Sequence, residues 1–132
     1  MRRIRVAIAG ILIALATRAL AADAPPAHQD IQIVLSNFSF MPNILHLQRN
    51  IPTTLHLMNS ASGGHAFSAP ELFAAVTVAP EDKGKIMAGK IEVPAGQIVD
   101  ITVTPTNLGT YPIVCTHFLH QSFGMRGQAT IE

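Results

Sequence analysis

The chain has 132 residues, 48% hydrophobic and 13% charged, with one cysteine, six histidines and a formal charge of +1. That length fits a single domain, and the composition excludes a disordered tail or a polyelectrolyte. The lone Cys115 excludes a disulfide-stapled miniprotein and a four-cysteine zinc site, and the near-neutral charge gives no electrostatic reason to bind nucleic acid.

Arg2, Arg3 and Arg5 precede an apolar run from Val6 to Ala16, which Thr17 and Arg18 close. Small residues then stand at Ala19 and Ala21, the positions a signal peptidase reads, so residues 1–21 are expected to be a secretory signal peptide. The run is shorter than the roughly 20 apolar residues a helix needs to cross a bilayer, and no stable membrane span is expected after cleavage. Removing it leaves five basic and eight acidic residues, a charge of −3, and all six histidines. The expected location is the periplasm, or secretion. An oxidising compartment makes an unpaired thiol a liability, so Cys115 calls for a function.

Residues 22–30, with Pro25 and Pro26, read as a flexible lead-in to a domain at 31–132. Apolar residues then alternate with polar ones: Ile31, Ile33 and Leu35; Leu45 and Leu47; Thr53, Leu55 and Leu57; Val99, Ile101 and Val103. Tyr111, Ile113 and Cys115 share one face of a later run, and Ala129 to Ile131 ends the chain. Turn residues separate these runs at 41–43, 49–52, 94–96 and 105–109. Short alternating runs with no long helical pattern predict an all-β, antiparallel Greek-key β-sandwich. One short helical segment is predicted near 70–76, where Pro70 suits the first helical position. Residues 79–88, rich in charge, read as an exposed loop.

The chemistry concentrates between Cys115 and Met125. A thiolate, an imidazole from His120 and a thioether there suit copper that exchanges between Cu(I) and Cu(II). Extended, Cys115 to His120 would span ~17 Å, so the loop must curl back to share one ion. Ser122 and Gly124 help it bend. A second imidazole must come from elsewhere, and Gly63-Gly64-His65 follows the Leu55–Leu57 strand. Gly64 has no side chain, so its carbonyl can reach a metal as a weak axial contact.

In these residues the chain resembles the cupredoxins, the small type 1 blue copper proteins. The resemblance covers most of 31–132: His65, Gly109-Thr110-Tyr111, Cys115, His120, Met125 and Gly127. The spacing from Cys115 through His120 to Met125 is similar to the rusticyanin-type ligand loop, and Gly64-His65 is similar to azurin. The resemblance implies one mononuclear copper site, with His65, Cys115 and His120 in the plane and Met125 axial. Many members carry a polar residue, often Asn, after the first ligand histidine to tie the ligand loops together. Here that residue is Ala66, with Ser68 the nearest substitute.

Other histidines have plainer readings. His46 and His56 face away from the apolar side of their strands, and His28 lies in the lead-in. His117, at Cys115+2, is the alternative ligand, and His120 is preferred for its spacing. Met41, Met58 and Met87 are scattered and read as packing or surface residues; Lys83, Lys85 and Lys90 read as solvated charges. Phe118, Leu119 and Phe123 flank His120, either packing the loop or forming an apolar ring where a redox protein docks. The function expected is a one-electron carrier and a monomer, with a Cu(I) carrier or tolerance protein as the alternative and an apo module binding only protein partners as a third reading. An enzyme is not expected: the chain has no His-x-His pair, and its single cysteine excludes a binuclear site with bridging thiolates.

Overall fold

The computed structural model describes Ala24 and residues 27–132. The expected signal peptide lies outside the described residues, as do residues 22, 23, 25 and 26 of the lead-in. In chain order the elements are β1 (Gln29–Ser36), β2 (Ser39–Met41), β3 (Ile44–Leu47), β4 (Thr53–Asn59), β5 (His65–Ser68), α1 (Pro70–Ala74) and β6 (Val76–Val78). A 3-10 turn at Pro80–Lys85 follows, then β7 (Lys90–Val93), β8 (Ile98–Pro105), β9 (Gly109–Val114) and β10 (Arg126–Ile131).

The strands form two five-stranded sheets, ordered β2-β1-β4-β8-β6 and β3-β10-β9-β5-β7. The alternation holds strand by strand. Ile33, Leu35, Leu55, Leu57, Ile101 and Val103 of the first sheet are buried, as are Leu45, Leu47, Phe67, Ile91, Val93, Ile113 and Ile131 of the second. Side chains at every second position line one face, so each strand gives the interior half its residues. Phe40 of β2 meets Phe67 of β5 edge to face across the gap, with ring centroids 6.0 Å apart. Full burial of each such Leu, Ile or Phe contributes about 1.5–3 kcal/mol.

The sandwich expected from the alternation is present, with one refinement. Most strand pairs are antiparallel, but β1 pairs with β4 in parallel, and so does β10 with β3. Period-two patterning fixes which face a strand buries and leaves its direction open.

Three boundaries also move. β1 begins at Gln29, inside the expected lead-in, because Gln29 donates to Pro52 O at 2.9 Å and pairs with Thr53. The helix ends at Ala74, and Val76 joins β8 as an edge strand. The stretch read as an exposed loop holds the 3-10 turn, with Asp82 buried. Its carboxylate accepts from the Lys85 ammonium at 2.6 Å and from the Thr102 N–H at 2.8 Å. Burial pushes Asp82 up, but those two donors outweigh it and hold the carboxyl below its ordinary value. Lys85 therefore carries structure as well as charge. A composition rich in ions masked a buried carboxylate.

Two details fix the opposite ends of the β9–β10 pair. The Tyr111 hydroxyl donates to Asn107 O at 2.9 Å, pinning the turn into β9. A Cβ on Gly127 would collide with the Asn43 carbonyl, the same oxygen that accepts the Gln128 N–H at 2.8 Å. Only glycine lets β10 lie this close to the chain entering β3.

Candidate metal centre

His65 opens β5 and Cys115 follows β9, neighbouring strands whose ladder is registered at Ser68 and Val114. By strand parity His65 shares the inward face with Phe67, and Cys115 with Ile113. Both reach the interior at the same end of the sheet, Cys115 fully buried and His65 2% exposed.

The segment after Cys115 returns on itself through its own backbone. His120 N–H donates to His117 O at 3.1 Å, Phe123 N–H to Leu119 O at 3.0 Å and Gly124 N–H to Gln121 O at 3.1 Å. Met125 N–H donates to His120 O at 3.0 Å, and Cys115 N–H to Met125 O at 3.1 Å. Gly124 adopts a φ of 96°, a conformation that glycine enters without steric cost. The loop bends as expected, and Met125 is fully buried beside the backbone of Cys115.

The result is a triangle of donor atoms. Cys115 Sγ lies 3.4 Å from His120 Nδ1 and 3.9 Å from His65 Nδ1, and the two nitrogens are 3.2 Å apart. These sides enclose a point roughly 2 Å from all three atoms, the length of a bond from nitrogen or sulfur to a transition metal. One soft sulfur and two imidazole nitrogens, largely removed from water, fit copper. Burial, then the neighbouring His120 and His117, pushes His65 below the ordinary imidazole value. That keeps its ring neutral, as a ligand must be. Its other nitrogen, Nε2, is buried without a hydrogen-bond partner.

His117 is directed elsewhere. Its Nε2 meets Glu92 Oε2 at 2.8 Å, while its ring stacks on His120 with centroids 5.4 Å apart. It therefore stands outside the triangle. Burial pushes Glu92 up, but His117 and Lys90 outweigh it and hold the carboxyl below its ordinary value. Gly64 is half-buried next to His65, and a Cβ there would meet His117 Cε1 at 3.4 Å. The room left by its missing side chain receives the His117 ring.

Three residues that the sequence did not single out shape the site. Asn59 is buried at the end of β4, where its Nδ2 donates to Gly63 O and Val93 O at 2.9 Å each. Its Oδ1 accepts the Ala61 N–H at 2.9 Å, so one side chain ties the turn before His65 to β7. The signal was available: Asn59 continues the inward series Thr53, Leu55, Leu57. The second is Glu92, which anchors His117. The third is Phe38, from the β1–β2 turn, set edge to face on His120 at 5.3 Å and 5.1 Å from Phe123. Nothing local in the sequence links residue 38 to residue 120. Phe118 and Phe123 are exposed, at 88% and 62%, so the flanking aromatics form a surface and not a core.

The chain matches the family model of the cupredoxin-like domain over residues 5–131 and belongs to that family. Among solved structures it is similar to dithionite-reduced auracyanin from the photosynthetic bacterium Roseiflexus castenholzii. That match has a TM-score of 0.60 and 18% identity, covering 78% of this chain and 96% of auracyanin. Auracyanin B gives a TM-score of 0.59 and 21% identity, covering 84% and 93%. A multicopper oxidase from Campylobacter jejuni gives 0.59 and 12% identity over 87% of this chain, but only 32% of the oxidase is covered. No curated protein matches the sequence. Family and donor cluster together define a cupredoxin whose cofactor is one copper ion.

Proposed function

We propose that this protein is a one-electron carrier, exported to the periplasm or secreted, in which His65, Cys115, His120 and Met125 would hold the copper ion. The observation that carries the reading is the buried triangle of Cys115 Sγ, His65 Nδ1 and His120 Nδ1. Bound there, copper supplies one-electron exchange between Cu(I) and Cu(II), which this donor set supports with little rearrangement. The chain's own part is to hold that geometry. Cys115 gives up its proton to act as thiolate, and the Ala66 N–H donates to its sulfur at 3.4 Å. Asn59 fixes the turn that presents His65, and the loop hydrogen bonds fix His120 and Met125.

His120 is the half-buried member of the triangle, and Phe38, Phe118, Leu119 and Phe123 lie exposed about its edge. That apolar rim is the place where a redox protein docks. The reading is of a carrier and not an enzyme. The chain has no His-x-His pair, and its single cysteine leaves no thiolates to bridge a binuclear copper site. The arginine-rich start and apolar run of residues 1–21 support export, and no helix among the described residues is long and apolar enough to cross a membrane.

Copper-loaded protein is expected to show an intense visible thiolate-to-copper band that Cys115→Ser abolishes. A colourless Cu(II) adduct overturns the site. Slow electron exchange with tight, transferable Cu(I) overturns the carrier role in favour of copper delivery.

A further inference from the structure

The outer face of the β2-β1-β4-β8-β6 sheet carries a second set of metal-competent side chains, on the other sheet from Cys115. The register places Asp30 beside Thr54, and His56 beside both Gln32 and Asp100. His56 stands between two carboxylates: its Nδ1 lies 2.7 Å from Asp100 Oδ1 and its Nε2 lies 3.0 Å from Asp30 Oδ1. His28 Nε2 faces the same Asp30 oxygen at 3.7 Å and the Thr54 hydroxyl at 3.1 Å.

We propose that His28, Asp30 and His56 form a site for a divalent transition ion of the zinc class, with Asp100 as the carboxylate that orients His56. Two imidazole nitrogens converging on one carboxylate oxygen supply a mixed nitrogen and oxygen donor set, with further positions open to water. Asp100 accepts the Nδ1–H of His56, which fixes the tautomer and turns the Nε2 lone pair toward Asp30. A carboxylate behind a ligand histidine is the arrangement that orients metal-bound imidazoles. As they stand, the donor atoms of His28, Asp30 and His56 do not all lie within reach of one ion; their side chains are 45%, 64% and 35% exposed, and the site forms when His28 and Asp30 rotate toward His56.

Without the ion, a proton holds the gap between His56 Nε2 and Asp30. The hydrogen bonds to Asp100 and Asp30 raise His56 above its ordinary value. Binding therefore exchanges one proton, released from Nε2 to solvent, for one metal–nitrogen bond. Close by, His28 shares the Asp30 oxygen, and the Lys85 ammonium donates to the Asp100 main-chain carbonyl at 2.7 Å and to Asp82.

The test is calorimetric titration of Zn2+ into the copper-loaded full chain at pH 7, in two buffers of different ionisation enthalpy. One Zn2+ is expected to bind with release of a proton. His56→Ala and Asp30→Asn are each expected to weaken binding at least about tenfold, and His28→Ala to weaken it as well, with the visible copper band unchanged. Asp100→Asn is expected to weaken it about tenfold through the lost orientation. Zinc affinity unchanged in His28→Ala, Asp30→Asn and His56→Ala overturns the site. Binding that survives His56→Ala but vanishes in Cys115→Ser assigns the zinc to the buried triangle and overturns it equally. Failure at this outer face leaves the copper reading untouched, because no residue is shared.

Discussion

The main-chain N–H of Ala66 donates to the sulfur of Cys115 at 3.4 Å, across strands whose ladder is registered at Ser68 and Val114. The bond belongs to the backbone, so the residue type at 66 does not decide it. Ala66→Gly is therefore expected to keep the visible band of the copper-loaded protein in place. A marked shift of the band would mean that the methyl group, and not the N–H, shapes the surroundings of the thiolate.

Asn59 ties the turn before His65 to β7. Asn59→Ala leaves the Gly63 and Val93 carbonyls and the Ala61 N–H without this partner and loosens the turn before His65. The expected loss is about 2–4 kcal/mol of stability, read by urea denaturation, with weaker copper binding in a competition titration.

Gly127→Ala forces a Cβ against the Asn43 backbone, which cannot swing aside as a side chain can. β3 and β10 must separate locally, at an expected cost of about 1–3 kcal/mol. A melting temperature equal to that of the parent protein would contradict this reading of the close approach.

His56 gives the protein a pH dependence with a definite sign. Hydrogen bonds to Asp100 and Asp30 raise its folded value above 6.5, so the folded state holds the proton more tightly than the unfolded chain does. The stabilisation is complete below about pH 6.5 and is lost as pH rises through the folded value. His56→Gln is expected to flatten the stability profile above pH 6.5. Proton NMR titration of the ring, in the absence of added metal, is expected to place its midpoint above 6.5.

Phe118 and Phe123 are exposed, so replacing either with Ser is expected to change stability by no more than about 0.5 kcal/mol. If the rim is where partners dock, these variants slow electron self-exchange, followed by NMR line broadening, while the visible band stays fixed. Unchanged exchange would move the docking surface away from His120.

The sandwich was readable because alternation is a local property. Leu55 and Leu57 declare a buried face whatever strand lies beside them, and Cys115, His120 and Met125 sit close enough in sequence for their chemistry to stand out. Copper followed from the types of donor. Parallel pairing of β1 with β4 was not readable, because a strand carries no mark of its neighbour's direction. The buried Asp82 was hidden for a related reason: its ion-pair partner Lys85 is local, but the Thr102 N–H that helps to hold the carboxylate in the interior comes from β8, and only proximity in space brings the two together.

Sequence alone determined the donor types, the faces of the strands and the turns between them, since each depends on residues within a few positions of one another. The spacing favoured His120 over His117, but which ring lies near the Cys115 sulfur was decided by the tertiary structure. Both imidazoles are chemically competent and both follow Cys115 closely, but Glu92 of β7 holds one while the curled loop turns the other's Nδ1 toward the sulfur. Phe38 at the rim and Asn59 behind His65 were likewise decided by packing. Their contacts join segments that the chain keeps apart and that meet only when the two sheets close.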